Sequence, residues 1–224
     1  MQAGIRPGPL STVIHNAPDP AVFHPAEGYI PPSGNQKIRL VSTSWSVNPL
    51  KGFSSFVWLD ENLDFSRFEV TLIGNCPERF RHVRVVPPLV HSALGDELRR
   101  HHLFFFPSRV ECCSNALLEG LHCGLPALAF DGSSNRELVG EGGRMFARDE
   151  DIPGLLGEMS ARLSEYRLRI AAMPLSRVAG AYASFLLETV PDALRGKRLK
   201  SAIWSKQVLF KGGVLLSKVR AKMS

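Results

Sequence analysis

The stretch LFFFPSRVECCSNALLEGLHCGLPALAF, residues 103–130, decides the fold. Leu103–Phe106 is apolar at every position, the pattern of a short strand buried on both faces of a parallel sheet, so its phenylalanines are core rather than a stacking platform. A loop carrying Glu111 follows, and Ser114 is a helix-capping residue placed before Asn115–His122. Gly124 stops that helix ahead of Pro126, and Ala127–Phe130 reads as the next buried strand. A helix that starts straight after such a strand leaves backbone N–H groups without intrahelical partners. Together with the positive end of the helix dipole they favour a phosphate. In an open parallel sheet that is also the edge where ligands bind. Ser114, Asn115 and Ala116 are the residues that would offer those donors. Glu119, one turn in, suits two neighbouring hydroxyls such as a ribose diol, and Glu111 could reach a sugar hydroxyl beyond the phosphates.

Outward from this unit the same alternation continues. Ile38–Ser42, Phe68–Ile73 (ending at Gly74-Asn75) and Val83–Val86 (before Pro87-Pro88) read as strands. Gly52–Leu63, Leu94–His102, Ile152–Arg169 and Leu175–Glu188 read as helices. The expected fold is a Rossmann-like, doubly wound α/β sheet over residues 37–190. Residues 1–36 carry seven of the sixteen prolines and read as a linker with the remnant of a preceding domain. Residues 191–224 read as a basic amphipathic tail.

Charge is distributed unevenly. The chain of 224 residues has a formal net charge of +6, yet Arg195–Ser224 holds nine Lys/Arg and no Asp/Glu, leaving residues 1–194 at −3. That argues against a globally basic nucleic-acid-binding domain. The four cysteines, Cys76, Cys112, Cys113 and Cys123, form neither a disulfide framework nor a zinc pattern, and the seven histidines show no metal-ligand spacing. A thiol nucleophile at Cys112 or Cys113 lacks a His/Asn partner pattern. With no apolar run of 18 residues and no secretory signal, a cytoplasmic protein is expected. The tail reads either as a solvated end or as a segment touching an anionic membrane surface. The absence of G-x-G-x-x-G after the first strand argues against a dehydrogenase or epimerase.

Five blocks in order resemble one family. VIHNAPDPAVFHP (13–25) is similar to its interdomain linker, PLKGF (49–53) to its diphosphate-binding lysine loop, and FEVTLIGNCP (68–77) to a strand ending in glycine. Glu111, seven residues, Glu119 and then Gly124-Leu125-Pro126 resemble its E-x7-E signature, and NRELVGEGGRMF (135–146) its closing segment. The family is the GT-B retaining glycosyltransferases, family 4 (glycosyl transferases group 1), of which this chain resembles the C-terminal, donor-binding half. The resemblance implies that Lys51 binds the donor diphosphate, that Ser114 and Asn115 give backbone N–H groups to it, and that Glu119 holds the ribose. It further implies that Glu111 contacts the donor sugar, and that Gly74 and the backbone near Pro88 and Leu89 border the nucleotide. The implied reaction moves a sugar from a UDP-, GDP- or ADP-sugar to an acceptor hydroxyl with retention. No cofactor or bound metal is implied, because lysine, arginine and helix amides stabilise the leaving diphosphate.

The resemblance also implies a role in polysaccharide or glycolipid synthesis, a sugar or lipid-linked acceptor, and a separate acceptor-side chain as partner. Without an acceptor domain, weak donor binding and no transfer are expected; a non-catalytic nucleotide-sugar-binding subunit or a truncated product is the alternative. One departure stands out. The basic residue usual about six positions before the lysine is Trp45 here, leaving Ser44, Ser46, Asn48 or Arg109 to replace it.

Overall fold

Every pairing in the six-stranded sheet is parallel. The computed structural model describes residues 12–189. Its strands are β1 Ile38–Ser44, β2 Phe68–Gly74, β3 Arg84–Val86, β4 Leu103–Phe106, β5 Ala127–Phe130 and β6 Gly143–Phe146, side by side in the order β3-β2-β1-β4-β5-β6. The helices are α1 Phe53–Asn62, α2 His91–Leu98, α3 Asn115–His122, α4 Asn135–Val139, α5 Ile152–Ala161, α6 Leu163–Leu168 and α7 Leu175–Thr189. Order reverses between β1 and β4, which makes that gap the switch point of a doubly wound fold.

Successive strand residues face opposite ways, so each strand feeds two cores. Leu40, Phe105 and Leu128 face α1 (Phe53, Phe56, Leu59) and α5 (Ile152, Leu156, Met159). Val41, Ile73, Phe104 and Phe106 face α2 (Leu94, Leu98) and α3 (Leu117, Leu121). Phe105, fully buried, meets Phe56 edge-on at 5.2 Å between ring centres and stacks on Phe146 at 5.6 Å. Burial of one such ring stabilises by roughly 1.5–3 kcal/mol.

The boundaries differ from the sequence reading at two helices. The segment read as a helix over Leu94–His102 is helical over His91–Leu98. Its last residue is claimed by the sheet instead: His102 N–H donates to Arg39 O at 2.8 Å, and His102 Nδ1 accepts the Arg39 N–H at 3.0 Å. His101 and His102 are both buried. The segment read as one helix over Ile152–Arg169 is two, broken at Arg162, and the break sets Leu163 and Tyr166 into the core. The strand β6 and the helix α4 were not read from sequence as elements; each is too short to show a period.

Residues 15–36 hold no helix or strand, but Phe23 is buried against the α2 and α3 side of the sheet. A single aromatic among prolines leaves no periodic signal. Residues 15–178 form one unit, while 12–14 and 179–189 belong to a second, in which residues 179–189 of α7 are helical. Among the described residues no helix is long and apolar enough to cross a membrane. The basic tail, 191–224, lies outside the described residues.

Candidate functional site

At the switch point a cavity of about 290 Å³ opens at the C-terminal edge of the sheet. Its walls are the end of β1 (Ser42–Ser44), the following Trp45 and Ser46, Lys51, the end of β4 with Pro107 and Ser108, Glu111, and the start of α3 (Ser114–Ala116).

Lys51 arrives there through a turn that the sequence specifies. The Asn48 side chain accepts the Leu50 N–H at 3.0 Å, capping a 3-10 turn over Pro49–Lys51. Gly52 then takes φ +83°, a conformation that penalises any side chain. A Cβ there would also stand 2.2 Å from the Pro107 carbonyl oxygen, so only glycine lets this turn lie against the β4–α3 loop. Arg109 N–H donates to Leu50 O at 2.8 Å across the same seam. The result puts Lys51 Nζ 2.5 Å from Glu111 Oε1.

Glu111 is held from several directions. Ser108 Oγ donates to the same Oε1 at 2.7 Å. The Glu111 N–H donates to Ser133 Oγ at 3.2 Å, and Ser134 Oγ donates to Glu111 O at 3.4 Å. Asn135, fully buried, donates from Nδ2 to Ser108 O (3.0 Å) and Phe130 O (3.1 Å), tying the β4–α3 loop to the end of β5. Ser108, Ser133, Ser134 and Asn135 were not singled out in the sequence. The run Ser133-Ser134-Asn135 signals a helix start, but nothing in it announces that its partners lie some 22 to 27 positions upstream.

Ser114 caps α3, its hydroxyl accepting the Leu117 N–H at 3.4 Å. The amides at the helix start have no intrahelical acceptor, and their end of the helix faces the cavity through Ser114, Asn115 and Ala116. Asn16 Nδ2, from the segment before β1, reaches Asn115 Oδ1 at 3.1 Å. Glu119 lies one turn deeper, 8% exposed, with Oε2 lacking any hydrogen-bond partner among the described residues. Burial pushes its carboxyl up to about 7. Thr43 Oγ1, in the cavity wall, is likewise buried and unpartnered among the described residues.

The cavity thus brings together Lys51, Glu111, Ser114, Asn115 and Ala116; Glu119, Gly74, Pro88 and Leu89 are not among its lining residues. Gly74 is a glycine because a Cβ would stand 1.9 Å from Ser44 O, where β1 and β2 end side by side. Leu89 packs against the core on the α2 side, and Pro88 is exposed. Trp45, 44% exposed, forms part of the wall, with its carbonyl accepting from Asn75 Nδ2 at 2.9 Å. The neutral groups near it are engaged in the loop itself: Ser44 Oγ donates to Ser46 O, and Ser46 Oγ accepts the Asn48 N–H. Arg109 stacks its guanidinium 4.3 Å over the Phe130 ring. Lys51 is therefore the only Lys or Arg among the described lining residues.

Residues 60–165 match the family described as "Glycosyl transferases group 1". Solved structures similar in fold include sucrose-phosphate synthase from Thermosynechococcus elongatus, at TM-score 0.60 and 14% identity, covering 77% of this chain and 51% of that one. Anabaena Alr3699/HepE, solved in complex with UDP and glucose, aligns at TM-score 0.62 and 14% identity over 80% of this chain and 57% of its own. The C-terminal domain of a group 1 glycosyl transferase (LpcC) from Francisella tularensis aligns at 0.55 and 17% identity, over 74% of this chain and 98% of that domain. The chain spans roughly half the length of the first and slightly more of the second. No curated protein sequence matches it. The fold is the α/β Rossmann-like fold of GT-B glycosyltransferase domains.

Proposed function

We propose that residues 37–190 form the donor-binding half of a retaining, family 4 glycosyltransferase that takes a nucleotide-activated sugar. The observation that carries the reading is the convergence of Lys51, Glu111 and the start of α3 on one cavity at the switch point. In this reading the diphosphate rests on the α3 amides with Lys51 as counter-charge, which lowers the cost of its departure as the acceptor oxygen bonds to the anomeric carbon. Glu111 accepts from a hydroxyl of the donor sugar. Glu119, whose buried Oε2 has no hydrogen-bond partner among the described residues, accepts from the ribose hydroxyls. Gly74, Pro88 and Leu89 border the nucleotide from the β2 and β3 side. The acceptor, a sugar or lipid-linked sugar in polysaccharide or glycolipid synthesis, is presented by a second domain or chain, because one wall cannot place its hydroxyl or exclude water. The relative solved with UDP and glucose supports the choice of ligand class.

Thermal-shift measurements with UDP, GDP, ADP and their sugars test this. At least one of them raises the melting temperature of the wild type, and Lys51→Ala and Glu119→Ala each remove that increase. Equal stabilisation of all three proteins would place the ligand elsewhere.

A further inference from the structure

A second hollow, of about 730 Å³, lies at the opposite edge of the sheet, where β1, β2 and β3 begin. On β1 its lining ends at Arg39 and that of the first cavity begins at Ser42, so roughly 10 Å of strand lies between them at ~3.3 Å per residue. Its walls carry Lys37, Arg39, Arg81, Arg84 and Arg100 against two carboxylates, Glu69 and Glu97. Glu97 is shared, 2.8 Å from Arg84 and 3.3 Å from Arg100. Lys37 and Arg81 have no ion pair and no side-chain hydrogen bond among the described residues. Arg39 is anchored through Nε to Arg100 O at 2.7 Å, which fixes its guanidinium while leaving both terminal nitrogens without a partner among the described residues.

Such an excess is unusual in a unit whose residues outside the tail sum to a negative charge, and like charges held together raise the energy of the empty site. At its edge burial lowers the His101 pKa, Glu97 opposes that, and the charges of Arg39 and Arg84 add smaller lowering effects. Phe65, Phe68 and Val70 also line it, with Phe65 stacked on His82 at 4.8 Å between ring centres. Guanidinium forks match tetrahedral oxyanions, and aromatic lining residues suit the organic part of an ester.

We infer that this hollow binds a phosphate-bearing anion, with Lys37, Arg39 and Arg81 as its first contacts. The site is separate from the proposed donor cavity and does not depend on that assignment. The phosphate could be carried by a small molecule or by a lipid headgroup.

Titration of the whole chain with inorganic pyrophosphate, read at the His82 ring resonances by NMR, tests the inference. A saturable shift of His82 is expected, with affinity at least tenfold weaker in the double variant Lys37→Glu, Arg81→Glu and intermediate in Lys37→Gln, Arg81→Gln. Both positions are exposed, so the variants melt as the wild type does. Lys51→Ala, which removes the cation of the other cavity, leaves the His82 response intact. Co-sedimentation with phosphatidylcholine vesicles carrying phosphatidic acid then separates the two sources. Weaker sedimentation of the charge-reversed variant assigns a lipid headgroup, and equal sedimentation beside lost pyrophosphate binding assigns a free phosphate ester. A His82 response that never saturates, or that survives charge reversal, would overturn the site.

Discussion

Lys51 and Glu111, sixty positions apart, meet with Nζ 2.5 Å from Oε1, so the one cation in the described wall of the cavity is already engaged by a carboxylate. An incoming diphosphate has to compete with Glu111 for it. Glu111→Gln therefore binds a nucleoside diphosphate about three- to tenfold more tightly than wild type, a gain of about 0.7–1.4 kcal/mol, while losing discrimination for the attached sugar. Lys51→Ala weakens the same ligand by roughly ten- to a hundredfold. Isothermal titration of both variants checks the pair; weaker binding in Glu111→Gln would contradict the competition.

Gly52 is where the lysine loop docks. Its φ of +83° and the 2.2 Å approach of Pro107 O to a Cβ leave no room for alanine. Gly52→Ala destabilises by about 2–4 kcal/mol and moves Lys51 away from Glu111. Urea denaturation gives the first quantity. An alanine variant as stable as wild type would mean that the seam is loose.

Asn135 closes the same loop from the other side. Asn135→Ala leaves Ser108 O and Phe130 O without their side-chain donor, at a cost of about 1–3 kcal/mol. Because Ser108 also supports Glu111, ligand affinity falls along with stability. A variant that loses stability yet keeps full affinity would uncouple Asn135 from the site.

Glu119 makes the ligand-free protein less stable as pH rises. Burial raises its carboxyl from 4.5 to about 7, so the folded state holds the proton longer than the unfolded chain. Stability then falls as pH climbs through that window, by up to about 3 kcal/mol. His102 works in the other direction: burial lowers it from 6.5 to about 4, and its contribution, complete above 6.5, is lost as pH falls toward 4. The two slopes oppose each other, so the wild-type profile is muted. Glu119→Gln should match wild type near pH 5 and exceed it by about 2 kcal/mol near pH 8. Nucleoside diphosphate affinity of the wild type should rise over the same window, since only the carboxylate accepts from both ribose hydroxyls. Parallel stability profiles for the two proteins would remove Glu119 as the source.

The parallel sheet was readable because its strands are short apolar runs, Leu103–Phe106 and Ala127–Phe130, set between helices with clear caps. Glu111 and Ser114 stand out because they lie between a strand end and a helix start, where such a fold gathers its ligands, whereas Lys51 stands out only through the resemblance of PLKGF to a family loop. Other features depend on contacts between distant segments. His102 reads as the end of a helix until the ladder to Arg39 claims it. Ser133 and Asn135 gain their role only because the β5–α4 turn folds over a loop more than twenty residues earlier. The hollow at the far edge assembles Lys37, Arg81 and Arg100 from three separate segments, and no sequence window contains it.

A crystal structure of the chain with a bound nucleoside diphosphate shows where the diphosphate rests. Both phosphorus atoms are expected between Lys51 Nζ and the backbone amides of Ser114–Ala116, with Glu111 turned away from the lysine. A diphosphate seated at the N-terminal edge of the sheet alone, with the Lys51–Glu111 contact unchanged, would contradict that placement.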